Sequence, residues 1–335
     1  MNKRVAILGA GSWGLAVSRL LAQQGCKISM WEFDPEDYKR LVTTRCNPDK
    51  LADFKLDDGV ELTADPVDAV VGVDVIVVAV SSQHVRSVMN VVRDAIGRDV
   101  IVVNLAKGVE KGSLQRMSEV IVEEAGVEPN RVATLSGPSH AEEVAFDMPT
   151  TVVVASVNSD LAVQVQELFS TERFRVYQSD DVVGVELGGS LKNIIAIAAG
   201  IIDSLSLGDN TKGALITRGL AEITRLGVAM GARAETFAGL SGLGDMVTTC
   251  FSRHSRNRYV GEKLGLGMKL DEVLAGMTMI AEGVETTRSG RDLARRHAVE
   301  MPITEEVYHV LFENKDAREA LGNLMGRRLR AEIWQ

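Results

Sequence analysis

The sequence predicts an α/β fold: a doubly wound, mainly parallel sheet followed by an all-α domain. Through the first half, short β-branched runs alternate with helical stretches. Near residue 182 those runs stop and long helical patterns take over. Composition agrees. The 335 residues exceed the ~100–200 of a single domain. Hydrophobic residues make up 45% of the chain but aromatics only 4%, so the cores must be built of Val, Ile, Ala and Leu.

The expected strands are Val5–Leu8, Lys27–Trp31, Val75–Val80, Val100–Asn104, Val132–Ser136, Thr151–Ala155 and Arg175–Gln178. Several are apolar throughout, as strands covered on both faces are. Helical stretches such as Trp13–Gln24, Val85–Ile96 and Ser113–Glu124 lie between them, which is the mark of a parallel sheet. The later helices are expected at Val183–Leu207, Thr211–Met230, Arg256–Leu264, Glu285–His297 and Thr304–Glu313. A boundary at Ser179–Asp181 divides residues 1–180 from residues 181–335. The basic segment Gly326–Gln335 is expected to fray.

A net charge of -9 argues against nucleic acid or an anionic membrane as the main partner. Cys26, Cys46 and Cys250 are widely spaced with no CxxC pair, so neither a disulfide framework nor a metal site is expected. The opening MNKRVAILGAG has only Val5–Leu8 as an apolar stretch, which reads as a strand rather than a leader. No apolar run of ~18 residues free of charge is apparent, so no membrane-spanning segment is expected. A cytoplasmic protein is the resulting expectation.

After the first strand comes GAGSWG, with Gly9, Gly11 and Gly14 at GxGxxG spacing. The spacing alone is weak, but here it follows a strand and opens a helix. Gly9 permits the tight turn, Gly11 lets backbone approach a pyrophosphate, and Gly14 lets the helix pack on the sheet. The helix N-terminus offers N–H groups to the phosphates. This is a Rossmann-like dinucleotide site; a glycine turn without ligand is the alternative. The second strand ends in Glu32, Phe33 and Asp34. An acid here accepts from the ribose hydroxyls of NAD and repels the extra phosphate of NADP, so NAD is favoured while NADP stays possible.

Two further loops end strands. Lys107 in NLAKGVE is aimed at the cleft, and Gly108 beside it suggests close approach to a ligand. In LSGPSHAEE, Gly137 and Ser139 precede a helix, and Ser139 either caps it or meets a ligand.

In the second half, VELGGSLKNIIAIAAGIID is apolar on nearly every side after Leu191, the pattern of a buried helix. Lys192 interrupts it, and no residue one turn away can neutralise the charge. Such a lysine has a lowered pKa or holds an anion; snorkelling out is the alternative. Gly188 and Gly189 are read as opening space beside it. Downstream, Gly239, Gly242 and Gly244 suggest a loop near a ligand, and Asp245 either caps a short helix or orients a cation. Ser255, Arg256 and Asn257 then combine hydroxyl, guanidinium and amide at a helix start, the parts of a phosphate site. The residues alone therefore indicate a nicotinamide-dependent oxidoreductase acting on a phosphate or carboxylate substrate, with Lys192 as acid/base.

The stretches GAGSWGLA, LAKGVE, LSGPSHAEEVA, ELGGSLKNIIAIAAGI, GLSGLGDMVTTC, SRNRYVG and AEGVETT closely resemble the bacterial-type NAD(P)-dependent glycerol-3-phosphate dehydrogenases over nearly the whole chain. The resemblance implies a homodimer that interconverts dihydroxyacetone phosphate and sn-glycerol 3-phosphate for phospholipid synthesis. It implies Lys192 as proton donor and acceptor, with Lys107 and Asp245 beside it at the substrate end. Gly137, Ser139, Ser255, Arg256 and Asn257 match substrate contacts. Ser12, Trp13, Ala141, Arg256, Ile280 and Glu282 match cofactor contacts, and Lys107 serves both ends. Two positions depart from the pattern. Phe33 stands at the cofactor site where many bacterial members carry a basic residue, which weakens the case for NADP. Ser81 replaces the usual proline of the loop after Val75–Val80, a change expected to loosen that loop. The rival readings are a β-hydroxyacid or 6-phosphogluconate-type dehydrogenase and a non-catalytic dinucleotide sensor.

Overall fold

The computed structural model describes residues 3–329 and 331–332. Eight strands form one sheet: β1 (Arg4–Leu8), β2 (Lys27–Trp31), β3 (Glu61–Thr63), β4 (Val75–Val78), β5 (Ile101–Asn104), β6 (Val132–Ser136), β7 (Thr150–Ala155) and β8 (Phe174–Ser179). Their order across the sheet is β3-β2-β1-β4-β5-β6-β7-β8. All neighbours pair in parallel except β6 and β7, which are antiparallel. The three-residue β3 escaped the sequence reading because it is short and half-exposed, so it shows no β-branched run. It makes Val75–Val78 the fourth strand, two residues shorter than expected. The chain reverses its winding between β1 and β4, and the crevice beyond the carboxyl ends of those strands is where such sheets bind ligands.

Seven helices lie among the strands: α1 (Ser12–Gln23), α2 (Pro35–Thr44), α3 (Pro66–Val70), α4 (Val85–Val92), α5 (Met117–Ala125), α6 (Ala141–Val144) and α7 (Ser159–Phe169). Alternate residues of a strand point to opposite faces. Val5 and Ile7 join the core under α1 and α7, while Ala6 and Leu8 join the one under α4 and α5. The stretch expected at Ser113–Glu124 starts later, at Met117, because Leu114 takes a positive φ and breaks the first turn.

The remainder is helical: α8 (Val182–Ser204), α9 (Gly208–Ala229), α10 (Ala234–Phe237), α11 (Asp245–Phe251), α12 (Arg256–Gly265), α13 (Leu270–Ala275), α14 (Glu282–Arg296), α15 (Pro302–Phe312) and α16 (Ala317–Met325). Helix α8 is the axis, packed by α9, α11, α12 and α14 and buried from Gly184 to Ile202. By length and composition it passes as long and apolar enough to cross a membrane, although Glu186, Lys192 and Asp203 interrupt it and no charge-free run of ~18 residues occurs; it is almost wholly buried inside the protein. Helix α12 crosses it at glycines. A Cβ on Gly200 would stand 1.9 Å from the Arg258 carbonyl oxygen, and one on Gly261 would stand 1.9 Å from that of Ile197. Those contacts fix the middle of α12 against the C-terminal part of α8. Of the expected fraying at Gly326–Gln335, residues 330 and 333–335 lie outside the described residues; Gly326–Leu329 and residues 331–332 carry no helix.

Candidate active site

Gly9 has φ +110, a backbone conformation that suits glycine. A Cβ on Gly14 would fall 2.0 Å from the Gly9 carbonyl oxygen, so the turn closes only without one. Gly11 differs: an added Cβ would meet nothing within 4 Å. No side chain caps α1, which leaves its first N–H groups to face that open space. An uncapped helix start behind a bare backbone fits a pyrophosphate. Ser12 donates its hydroxyl to the Lys50 carbonyl at 2.6 Å, and Trp13 packs against the core beneath.

At the end of β2 the two acids part company. Asp34 caps α2, accepting from the N–H groups of Glu36 and Asp37 at 2.9 Å each. Glu32 is buried, accepts from the Asp34 N–H at 2.9 Å, and has its pKa raised by burial. Phe33 is 79% exposed, edge-on to Trp31.

The second centre is made of charge. Lys192 lies buried in α8, and its Nζ stands 2.8 Å from Asp245 Oδ1. Lys107, from the loop after β5, meets Asp245 Oδ2 at 2.7 Å and donates to the Gly137 carbonyl at 3.0 Å. Asp245 therefore orients cations rather than capping α11. Thr249, one turn along α11, accepts from Lys192 and donates to Asp245 Oδ1 at 3.1 Å. Burial lowers the Lys192 pKa to about 8 against the pull of Asp245, which favours the ammonium. Burial alone would raise the Asp245 carboxyl, but the two ammoniums hold it below its ordinary range. The pair is thus ionised, with a lysine able to exchange its proton near neutral pH.

The polar turn before α12 lies next to this centre. Ser255 caps α12 by accepting from the Arg258 N–H at 3.2 Å. Asn257 is locked: its amide donates to Asn193 Oδ1 at 2.9 Å, and its oxygen accepts from the Gly283 N–H at 2.8 Å. Arg256 is exposed, and no hydrogen bond or ion pair to it occurs among the described residues. Ser139 turns back, donating to the Gly137 carbonyl at 2.9 Å, and does not cap α6. Ala141 opens α6, and Ile280 is 53% exposed just before α14.

Other glycines act differently from the sequence reading. The space at Gly108 is filled by Ser82, whose Oγ would lie 2.2 Å from a Cβ at that position, so Gly108 admits protein rather than ligand. Gly188 and Gly189 likewise admit the Ser241–Gly242 backbone and the Ser136 hydroxyl. Gly242 packs on the Phe237 backbone. Glu282 ties the helical domain to the sheet, accepting from both the N–H and the hydroxyl of Ser82, and burial raises its pKa. The neighbouring Ser81 hydroxyl makes a 2.6 Å hydrogen bond with His84 Nδ1. A third tie was missed in the sequence. Glu186, six residues before Lys192, accepts from Ser118 N–H and Oγ and pairs with Arg116 at 2.6 Å. It pins α8 to the sheet-bearing domain. Thr249 was missed too, though its i+4 spacing from Asp245 was a readable signal.

Two family models match most of the chain. The model of the NAD-dependent glycerol-3-phosphate dehydrogenase N-terminus matches residues 4–162, and that of the C-terminus matches residues 181–322. The chain belongs to the NAD-dependent glycerol-3-phosphate dehydrogenase family. A glycerol-3-phosphate dehydrogenase (NAD(P)+) of Salinibacter ruber is 49% identical over 100% of this chain and 97% of its own. One from Pelotomaculum thermopropionicum is 51% identical over 98% and 94%. The crystal structure of glycerol-3-phosphate dehydrogenase from Coxiella burnetii superposes with a TM-score of 0.93 at 39% identity, covering 97% of this chain and 99% of that one. All the residues assembled above lie within the two matched spans of this dehydrogenase family.

Proposed function

We propose that the chain interconverts dihydroxyacetone phosphate and sn-glycerol 3-phosphate with NAD(H) or NADP(H). The observation that carries the reading is the Lys107–Asp245–Lys192 chain of contacts, in a chain that also carries a dinucleotide-type turn and an exposed arginine at the start of α12. Residues 1–180 hold the cofactor and residues 181–335 the substrate. Gly9, Gly11, Ser12, Trp13 and Gly14 receive the pyrophosphate end; Phe33 lies by the adenosine, and Ala141, Ile280 and Glu282 lie towards the nicotinamide. When bound, the cofactor supplies a hydride to the ketone carbon.

The chain's own residues do the rest. Lys192, as ammonium, hydrogen-bonds the carbonyl oxygen, stabilises the alkoxide that develops there and gives it the proton. In the reverse direction the neutral amine takes that proton back. Asp245 aims Lys192 and keeps its charge favourable, while Lys107 balances Asp245. Arg256 grips the phosphate with its planar fork, aided by the N-terminus of α12. Ser139, Gly137, Ser255 and Asn257 shape the pocket around it. The enzyme is proposed to act in the cytoplasm as a homodimer and to feed glycerophospholipid synthesis.

The test is turnover of dihydroxyacetone phosphate with NADH and NADPH in parallel. Cofactor oxidation that depends on this substrate is expected. Oxidation with a β-keto acid instead would move the chain to the β-hydroxyacid class, and cofactor binding without any turnover would make it a sensor.

A further inference from the structure

The reaction proposed above leaves one group beside the charged centre without a role. His140 sits between Ser139 and α6 on the sheet-bearing domain, and its Nε2 is buried with no hydrogen-bond partner among the described residues. A buried polar atom without a partner is costly, so native proteins rarely keep one that nothing will satisfy. The charged and titratable groups that act on this ring come from four separate segments: Lys192 on α8, Asp245 on α11, Lys107 after β5, and His254 before α12. The His254 ring centroid is 6.0 Å away.

In the proposed reaction α8 bears on both ends of a three-carbon phosphate. Lys192 takes the carbonyl. Asn193, next in sequence, holds Asn257, and Asn257 adjoins Arg256 at the phosphate end. His140 comes from the sheet-bearing domain and lies within electrostatic reach of Lys192, Asp245 and Lys107. We infer that His140 is a substrate contact, its Nε2–H donating a hydrogen bond to a phosphate oxygen of dihydroxyacetone phosphate or glycerol 3-phosphate.

The charge arrangement suits a neutral donor. Burial, and then repulsion by Lys192, lower the imidazole pKa to about 4, so the ring carries a single N–H at neutral pH. A neutral donor satisfies the phosphate without placing a third cation beside Lys192, which would drain the lysine of its proton. The inference rests on the proposed reaction for the identity of the ligand.

The experiment uses the full chain saturated with NADH, so that glycerol 3-phosphate binds without turnover. Calorimetry gives the Kd of glycerol 3-phosphate and of inorganic phosphate for wild type, His140→Leu and His140→Gln. Melting temperature and NADH Kd are taken on the same samples. His140→Leu should weaken both phosphate ligands about tenfold, the scale of a lost hydrogen bond to a charged group, with NADH affinity unchanged. His140→Gln, whose amide N–H reaches the position of Nε2, should recover most of it. Unchanged phosphate affinity, or equal losses in Leu and Gln, overturns the inference, as does a loss confined to NADH. Failure of wild type to turn over dihydroxyacetone phosphate strikes the reaction instead, because the binding comparison does not depend on turnover.

Discussion

Gly9, Gly11 and Gly14 fall within one turn of chain and act by what they lack, leaving backbone N–H groups bare at the head of α1. Lys107 and Asp245 stand 138 residues apart and act by what they carry, two ammoniums closed on one buried carboxylate. The first region is a local steric device and the second a tertiary electrostatic one. They should therefore fail differently: the glycine turn through cofactor binding or folding, the charged centre through the chemical step.

The charged centre gives the largest effect. Lys192→Ala should cut kcat by about 10³-fold or more, since a positioned acid contributes ~10²–10⁴-fold and alkoxide stabilisation adds to it. Asp245 keeps Lys107 at 2.7 Å, so no buried charge is orphaned. Melting temperature and NADH affinity should hold. Near-normal turnover removes Lys192 from the chemistry; lost turnover with a collapsed melting curve makes it structural.

The glycine turn offers a split within itself. Gly11 has φ -68 and free space at its Cβ position, so Gly11→Ala should fold normally yet weaken NADH about 100-fold by standing where the pyrophosphate lies. Gly14→Ala drives a methyl into the Gly9 carbonyl and should cost about 1–3 kcal/mol of stability, the usual range for overpacking. Binding and melting curves on both variants check this. Equal behaviour of the two would erase the distinction between a ligand-facing and a packing glycine.

Glu222 shows what burial does when the opposing groups, two backbone N–H donors and the more distant Arg225 and Arg327, do not outweigh it. It lies on α9 and accepts from the Ile303 N–H at 2.7 Å and the Thr304 N–H at 3.3 Å at the start of α15. Burial raises its pKa to about 7, partly opposed by those N–H groups. A folded pKa above the unfolded value means the folded state binds more protons. The contribution is full below pH ~4.5 and lost as pH rises through ~7, about 3 kcal/mol over the whole window. Urea unfolding from pH 5 to 8 should show stability falling, and Glu222→Gln should flatten that slope. A slope unchanged by the substitution would place the proton elsewhere.

The same contrast explains what was legible in the sequence. The glycine turn could be read because its logic is contiguous, and the apolar strands because burial on both faces leaves β-branched runs. Lys192 could be read because a charge in an apolar helix is conspicuous, but the residues alone left Asp245 open between a helix cap and a cation's partner, and only the resemblance set it beside Lys192, since the pairing exists only once α11 lies against α8. Glu186 and His140 were hidden for the same reason: their partners or neighbours belong to other segments. The antiparallel turn to β7 left no trace in the residue pattern, because a buried strand reads alike in either direction.

Phe33 is where the steric and electrostatic devices meet, and it carries the smallest prediction. The ring is exposed and packs only edge-on to Trp31, so replacing it should barely alter stability. Phe33→Arg puts a guanidinium at the end of β2, where the ribose of the cofactor is proposed to lie, and a guanidinium pairs well with a 2′-phosphate. The ratio of kcat/KM for NADPH over NADH should rise about tenfold, on the order of one added charge-assisted bond. Wild type should use NADH at least as well as NADPH, since Glu32 remains the acid nearest that ribose and Asp34 is committed to its cap. If wild type strongly prefers NADPH, the phosphate must be met by a cation from beyond β2. Lys50 is the first candidate, because it stands 3.4 Å from Asp37 and its carbonyl is held by Ser12 of the glycine turn. Lys50→Ala would then separate the two accounts. Loss of NADPH alone would place the determinant at Lys50, and an unaltered ratio would return it to the end of β2.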